Sequence, residues 1–362
     1  MSIAKLLYKS SQYEQVDSFY KKDHHEYPLI RYMGSKYKLL DWIKEELSQF
    51  DFDTVLDAFS GSGAVSYLLK TMNKTVYSND FLHFSHILAT ATTENQNEKI
   101  TSSDLEILYQ ENHQVPDFIQ KTFKGIFYSK DELYFLDCIS YNMNKLKNPY
   151  KRAMAMAALI RSCIKKQPRG VFTISGNMEK YNDGRRDLRL TLEEHFREQI
   201  EIYNDIVFDS KLENRSFNGD IYDFDEKIYH PDLVYLDPPY VPRSDDNCYV
   251  KRYHFIEGLS KYWKDEEINY NTKVHKINKK YTPFSYRRTA TEAFENLFQK
   301  FSDSIIVLSY SSNGFPDLET LVQLLEKYKK DVIVKKRDHK YHFGNHKSVT
   351  RSQVQEYLIM GQ

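Results

Sequence analysis

The tetrapeptide Asp237-Pro238-Pro239-Tyr240 has the right groups to bind an amino group on an aromatic ring. It follows the apolar run at 232–236, which predicts a buried strand. Because proline has no N–H, the polar groups of this turn are the Asp237 carboxylate and bare carbonyl oxygens, which are all acceptors. An exocyclic NH2 on a nucleobase offers two donors, and a tyrosine can stack on its ring. The simpler interpretation is a strand that ends in a proline turn.

A glycine turn at 59–63 follows a second predicted strand, and a segment with helical spacing comes after it. Glycines at such a turn let a ligand approach the backbone closely. The dinucleotide-binding fingerprint needs Gly or Ala at the position of Ser66, so this chain matches that pattern poorly. Asp80 ends the next predicted strand, where a carboxylate can accept hydrogen bonds from ribose hydroxyls. A tight turn with a helix-capping aspartate is the simpler alternative.

Taken together and in this order, the motifs resemble those of the Dam-type DNA adenine-N6 methyltransferases, and more closely the modification enzymes of type II restriction systems. Such enzymes carry an Arg-aromatic-x-Gly-x-Lys segment, here at 31–36, then a Phe-x-Gly-x-Gly loop and an Asp-Pro-Pro-Tyr site. The segments 253–255 and 308–313 extend a resemblance that covers 28–361. It implies methyl transfer from S-adenosylmethionine to N6 of a flipped-out adenine in a short recognition sequence, which protects double-stranded DNA from a cognate restriction endonuclease.

The resemblance also implies roles for individual residues. Asp237, Pro238 and Tyr240 are expected to be catalytic. If the Asp237 carboxylate and the Pro238 carbonyl each accept one N–H, the adenine nitrogen is drawn toward a tetrahedral geometry, and its lone pair can point at a methyl sulfonium. This chemistry requires no metal. The residues expected to bind the cofactor are Tyr32, Lys36, Asp57, Phe59, Gly61, Gly63, Asp80, Asp220 and Asp237.

The order of predicted elements indicates an α/β fold with a Rossmann-like methyltransferase sheet and a terminal antiparallel hairpin. Ser35 can cap a helix that has Leu39, Ile43 and Leu47 on one face, ahead of the strand at Val55. The later predicted elements are a strand at 215–220, a helix at 293–301, a strand at 304–308, a helix at 317–327 and a hairpin that pairs 332–334 with 354–359.

The interval between the glycine turn and Asp237 is far longer than an αβ connection needs. Its sequence is polar and helix-prone, so 92–214 is predicted to be an inserted helical target-recognition subdomain. The catalytic domain is then expected to comprise 28–91 and 215–361, with a second DNA-facing insertion at 241–283. Residues 1–27 carry no pattern that can be interpreted.

Net charge does not indicate a nucleic-acid partner, because 51 Lys and Arg balance 51 Asp and Glu. The distribution of charge must indicate one instead. Basic residues gather where a proline and a glycine break a predicted helix, so that a loop could enter a DNA groove. The lysines there are expected to contact phosphate and the last arginine a base edge; a solvated helix end is the alternative. The residues predicted to bind DNA are Arg161, Lys165, Lys166 and Arg169, with the lysine-rich stretch 273–280 as the next candidate.

Other functions remain open on sequence grounds. A cytosine-N4 or RNA adenine methyltransferase would use the same chemistry, although cytosine-N4 relatives usually carry serine in place of Asp237. A non-catalytic DNA-binding paralogue would not need both Asp237 and Tyr240. A nicotinamide oxidoreductase lacks support because the third glycine of its fingerprint is missing.

The remaining composition bounds the environment of the protein. Cys138, Cys163 and Cys248 lack Cys-x-x-Cys spacing, which argues against a zinc site and a disulfide scaffold. No run of about 18 apolar residues and no leader signal is evident. We therefore expect a cytoplasmic protein of the bacterial cytosol or nucleoid, without membrane contact and monomeric when free.

Overall fold

A mostly parallel sheet organises the computed structural model, which describes residues 26–112, 114–175, 181, 183–241, 248–340 and 353–362. The strands of these residues are β1 (Thr54–Asp57), β2 (Thr75–Asp80), β3 (Arg215–Asn218), β4 (Leu233–Leu236), β5 (Ile268–Asn269), β6 (Lys276–Ile277), β7 (Ile305–Ser311), β8 (Val332–Lys340) and β9 (Gln353–Gly361). The central sheet has the order β3-β2-β1-β4-β7-β9-β8, while β5 and β6 form a separate small hairpin.

The central strands are parallel and buried on both faces. Every residue of β4 is buried, and so are Val55 and Leu56 of β1. Such continuous apolar runs are typical of parallel strands covered on both sides. Because β3, β2, β1, β4 and β7 run in the same direction, their carboxyl ends meet at one edge. The strand order reverses between β1 and β4, which is where open α/β sheets bind ligands.

The predicted terminal hairpin is confirmed. β8 pairs with β9 in antiparallel register, and β9 also pairs with β7. The mixed sheet therefore has the predicted Rossmann-like methyltransferase form.

Helices cover both faces of the sheet. One apolar cluster contains Leu39, Ile43 and Leu47, as the sequence predicted, and another contains Phe294 and Leu297. The helices are α1 (Leu40–Leu47), α2 (Ala64–Thr71), α3 (His83–Ala89), α4 (Ser102–Leu108), α5 (Phe118–Thr122), α6 (Lys130–Met143), α7 (Pro149–Lys166), α8 (Arg186–Arg189), α9 (Leu192–Ile206), α10 (Glu226–Tyr229), α11 (Tyr249–Ser260), α12 (Arg287–Lys300) and α13 (Leu318–Leu325). None of the described helices is long and apolar enough to cross a bilayer.

Ser35 does not cap α1, contrary to the prediction. A 3-10 turn at Tyr37–Leu39 precedes this helix, and its N-cap residue Leu39 makes no capping bond through its side chain. The Ser35 hydroxyl instead accepts the Tyr37 N–H at 3.4 Å.

The long interval between β2 and β3 is helical in the described residues, from a π-helix at Thr90–Glu94 through α9. Its side chains share one apolar cluster with Tyr67 of α2 and Phe84 of α3. The insertion therefore packs directly on the catalytic fold, and its division into a separate subdomain stays a prediction.

The second predicted insertion does not face outward as a whole. In α11 the side chains of Tyr253, Phe255 and Leu259 are buried in the same cluster as the first insertion. Only the part after α11 has a run of exposed positions, whereas 242–247 lie outside the described residues. α11 therefore contributes to the core, and the DNA-facing role of the insertion at 241–283 stays a prediction.

Candidate active site

An open cavity lies at the carboxyl ends of β1, β2 and β4. The turns that follow these strands supply its polar groups, and the segment before α1 closes one side. The residues of the predicted site that line it are Tyr32, Lys36, Asp57, Phe59, Gly61, Asp80 and Asp237. The structure thus brings together side chains that are far apart in the chain.

The glycine turn has a conformation that other residues adopt poorly. Gly61 and Gly63 have φ values of 51° and 80°, in the left-handed region. A Cβ on Gly61 would lie 3.0 Å from Cε1 of Tyr32, and one on Gly63 would lie 2.7 Å from the Tyr27 hydroxyl. Gly61 therefore keeps the cavity wall thin, whereas Gly63 makes room for a buried tyrosine behind it.

Asp80 holds the glycine turn against the next loop. Its Oδ2 accepts the Gly61 N–H and its Oδ1 accepts the Leu82 N–H, both at 2.8 Å. Burial raises the pKa of this carboxyl to about 7, although the two backbone hydrogen bonds oppose the shift. The two hydrogen bonds therefore fix the orientation of the Asp80 carboxylate. A cation or a hydrogen-bond donor that enters the cavity would stabilise its ionised form.

Asp57 offers the cavity an acceptor with no partner. Its Oδ2 accepts the Ser66 hydroxyl at 2.6 Å, while its Oδ1 is buried without a hydrogen bond among the described residues. Burial raises its pKa to about 7. Buried polar atoms are rarely left unsatisfied, so Oδ1 indicates a ligand donor. Ser66, which the sequence marked only as a mismatch to the dinucleotide fingerprint, orients this carboxylate.

Lys36 forms a buried ion pair with Asp237. Its Nζ lies 2.7 Å from Oδ1 of Asp237 and donates to the Gly34 carbonyl at 3.1 Å. The side chains are 3% and 20% exposed. Burial raises the pKa of Asp237, and the Lys36 ammonium counteracts this effect. No described residue bonds to Oδ2, which leaves that oxygen as an acceptor for a ligand.

Aromatic rings surround this ion pair. Tyr240 is half-buried beside the cavity, with its ring 5.1 Å from that of Tyr310. Tyr249 lines the cavity, and its ring lies 5.6 Å from that of Tyr32, which stacks on Tyr253 at 5.1 Å. The sequence missed Tyr249, because the only signal is its position four residues before Tyr253 on the same helix.

Asp220 is not brought into the cavity. It is exposed, and its Oδ1 accepts the Tyr222 N–H at 3.1 Å at the start of a 3-10 turn. Asp80 is the last residue of β2, whereas β3 ends at Asn218, two residues before Asp220. Asp220 thus acts as a local cap in this structure, and its contact with a cofactor stays a prediction.

Arg161 is placed differently from the prediction that it binds DNA. Arg161 lies on a buried face of α7 and is 8% exposed. Nε and Nη2 donate to the Leu29 carbonyl at 3.2 and 3.1 Å, and Nη1 donates to Gln199. The guanidinium therefore joins three parts of the fold and is not accessible to a phosphate.

The other predicted DNA contacts lie at the end of α7. Lys165 pairs with Asp187 at 3.0 Å, and Lys166 pairs with Glu132 at 3.3 Å. Both lysines are half-buried, whereas Arg169 is exposed. Of the four, Arg169 is the one that the structure leaves most accessible.

Comparison with known proteins identifies the class to which this site belongs. The model of the D12 class of N6 adenine-specific DNA methyltransferases matches residues 32–313, so the chain belongs to that family. It is an adenine-specific DNA methyltransferase.

Individual relatives agree with this assignment. The type II methyltransferase M2.HphI of Haemophilus parahaemolyticus is 31% identical over 328 residues, which cover 87% of this chain and 93% of the relative. The modification methylase StsI of Streptococcus sanguinis is 26% identical over 357 residues, and the type II methyltransferase M.FokI of Planomicrobium okeanokoites is 27% identical over 355. These alignments cover 91% of this chain in both cases but only 51% and 52% of the two relatives.

Proposed function

We propose that this protein is the modification enzyme of a type II restriction-modification system, with S-adenosylmethionine as its methyl donor and double-stranded DNA as its substrate. The observation that carries the proposal is the convergence of Asp57, Asp80 and the Lys36–Asp237 pair on one cavity. The names of the relatives support the pairing with a restriction endonuclease. We further propose that the enzyme acts as a monomer in the bacterial cytosol or nucleoid, where its substrate lies.

The donor set of the cavity fits S-adenosylmethionine. This cofactor supplies an electrophilic methyl group on a sulfonium and also carries an ammonium and ribose hydroxyls. The unpartnered Oδ1 of Asp57 suits the ammonium, and Asp80 suits the hydroxyls. Gly61 allows close approach of the ligand, while Tyr32 and Phe59 supply apolar walls.

The ion pair prepares Asp237 for a neutral nucleobase. Lys36 stabilises the ionised carboxylate in spite of its burial and bonds to Oδ1, so Oδ2 can accept one N6–H of adenine. The Pro238 carbonyl accepts the other, and Tyr240 stacks on the ring. Both acceptors then direct the nitrogen lone pair toward the methyl group, mainly through positioning and electrostatics. The base must be flipped out of the duplex to reach this pocket.

Two surfaces are proposed to hold the DNA. The first is the exposed loop with Arg169 after α7. The second begins at Arg287, which lies over the Phe315 ring at 4.7 Å. The Phe315 N–H donates to the carbonyl of Val241, the residue that follows Tyr240 in the chain. The surface continues through the exposed Tyr286 to Tyr281, whose ring lies under the Lys279 ammonium after β6. Such a combination of rings and positive charge suits a phosphate backbone.

Asp237→Ala tests the proposed chemistry directly. We expect labelled methyl transfer to DNA to fall by at least about 100-fold in protein that still folds, because the variant loses the acceptor for the amino group. Its melting temperature should also fall, because the buried Lys36 ammonium loses its carboxylate partner. The exposed Asp225, which caps α10 and has no predicted role in the site, supplies the matched control: Asp225→Ala should keep parent activity. Sequencing of DNA from expressing cells, with detection of N6-methyladenine, would give both the product and the recognition sequence. Near-parent turnover in folded Asp237→Ala protein contradicts the mechanism.

A further inference from the structure

Glu257 is a buried carboxylate that the proposed chemistry does not use. It lies on α11 with its side chain 0% exposed. Its Oε1 accepts the N–H of His83 and its Oε2 accepts the N–H of Phe84, each at 3.2 Å. These groups belong to the first turn of α3, where the N-cap residue Leu82 makes no capping bond with its side chain. Glu257 therefore caps α3 from a distant part of the chain.

Two lysines balance this buried charge. Nζ of Lys261 lies 3.1 Å and Nζ of Lys280 lies 3.8 Å from Oε1 of Glu257. Both lysines also pair with Glu266, at 2.7 Å for Lys280. Burial opposes ionisation of Lys261, but Glu266 and Glu257 together raise its pKa above the usual value. Two carboxylates and two ammonium groups thus form a neutral cluster, which is the condition under which buried charges are tolerated.

The start of α3 is also the end of the loop that forms one wall of the cavity. Phe81 and Leu82 line the cavity, and the Leu82 N–H is one of the two groups that hold Asp80. The other is the N–H of Gly61. A continuous set of hydrogen bonds and peptide links therefore runs from Glu257, through the first turn of α3, to Asp80 and the glycine turn.

We propose that Glu257 is a positioning residue for cofactor binding, which holds the loop 80–82 in the shape that presents Asp80 to the cavity. The inference rests on the proposed function, because it takes the cavity to be the S-adenosylmethionine site. The paired lysines contribute by compensating the charge of the buried Glu257 carboxylate. A charged acceptor binds backbone N–H groups more strongly than a neutral one. No contact between Glu257 and the cofactor is involved.

Asp137 supplies a matched control. It is also fully buried, and it accepts the N–H groups of Ile119 and Gln120, each at 3.0 Å, at the start of α5. Neither Asp137 nor α5 lines the cavity. Loss of this carboxylate removes a buried long-range helix cap of the same kind, together with a hydrogen bond from the Tyr262 hydroxyl at 2.6 Å. The hydrogen bonds of the loop that holds Asp80 do not involve Asp137.

The test compares Glu257→Ala and Glu257→Gln with Asp137→Ala and Asp137→Asn. We expect Glu257→Ala to raise KM for S-adenosylmethionine by about 10-fold, the scale of one lost hydrogen bond to a charged group, with kcat changed much less. Glu257→Gln keeps one acceptor oxygen, so its KM should rise by a smaller factor. The Asp137 variants should lose comparable thermal stability and keep the parent KM.

An unchanged KM in folded Glu257→Ala protein overturns the inference, and so does an equal rise in the Asp137 variants. If Glu257→Ala does not fold, Glu257→Gln decides in the same way. Calorimetry of the parent protein with S-adenosylmethionine separates the two proposals. Absence of binding to the parent refutes the proposed cofactor site itself, whereas equal binding to the parent and to Glu257→Gln refutes only the role of Glu257.

Discussion

Replacing Lys36 by methionine removes the counter-charge of Asp237 and keeps a side chain of similar length. The ammonium lies 2.7 Å from Oδ1 of Asp237, and the lysine side chain is 3% exposed. Burial by itself raises the pKa of Asp237, and Lys36 is the main group that lowers it. The variant leaves the effect of burial unopposed, so the pKa of Asp237 rises further.

The size of the effect follows from the geometry of the pair. Two unit charges about 4 Å apart interact by about 4 kcal/mol at an effective dielectric constant of about 20, which is an upper bound for a partly exposed carboxylate. Carboxyl groups next to one opposite charge shift by about 1 to 3 pKa units. Because the mechanism needs the ionised carboxylate, activity is lost below the pKa. The acid limb of the pH profile should therefore move upward by about 1 to 3 units.

The assay is kcat/KM for DNA across a pH series at saturating S-adenosylmethionine. Lys70→Met is the control, because Lys70 is also buried and its ammonium donates to the Thr92 and Asn95 carbonyls, which do not line the cavity. It should lower stability without moving the acid limb. If Lys36→Met lowers the rate equally at every pH, the lysine contributes through cofactor contact alone and the electrostatic reasoning is refuted.

Three further outcomes follow from the site. Gly61→Ala should weaken S-adenosylmethionine binding by at least about 10-fold in calorimetry, because its φ of 51° and a tyrosine ring 3.0 Å from the new Cβ oppose the change. Binding near pH 7 should release protons, detectable in buffers of different ionisation enthalpy, because Asp57 and Asp80 have pKa values near 7 and ionise beside a cation. Arg169→Ala should fold normally and lose about 1 to 3 kcal/mol on cognate DNA, whereas Arg161→Ala should mainly lower the melting temperature.

The sequence carried most of the information about the sheet and the cavity. Apolar runs before Asp57 and Asp237 predicted buried parallel strands, and parallel strands place their carboxyl ends at one edge. The convergence of three aspartates therefore follows from periodicity and fold class. The left-handed conformation of Gly61 follows in the same way from a strand that turns sharply into a helix.

Contacts between distant segments could not be predicted in this way. The basic residues of α7 looked alike in sequence, yet Arg161 points into the core, where Gln199 and the Leu29 carbonyl satisfy it. A helix surrounded by other helices can bury a charged residue on any face that offers partners. Glu257 gave no signal for the same reason, since its partners are backbone N–H groups in α3.

Charge balance links the observed site to the proposed order of events. Asp57 and Asp80 accept hydrogen bonds from the uncharged groups of Ser66, Gly61 and Leu82, and burial raises the pKa values of both carboxyls to about 7. Asp237, in contrast, has Lys36 beside it. A cationic ligand would therefore supply the counter-charge that Asp57 and Asp80 need. Lys36 already neutralises Asp237, which suits a neutral base. This asymmetry separates a cationic methyl donor from an uncharged adenine within one cavity, and it gives each carboxylate a distinct partner.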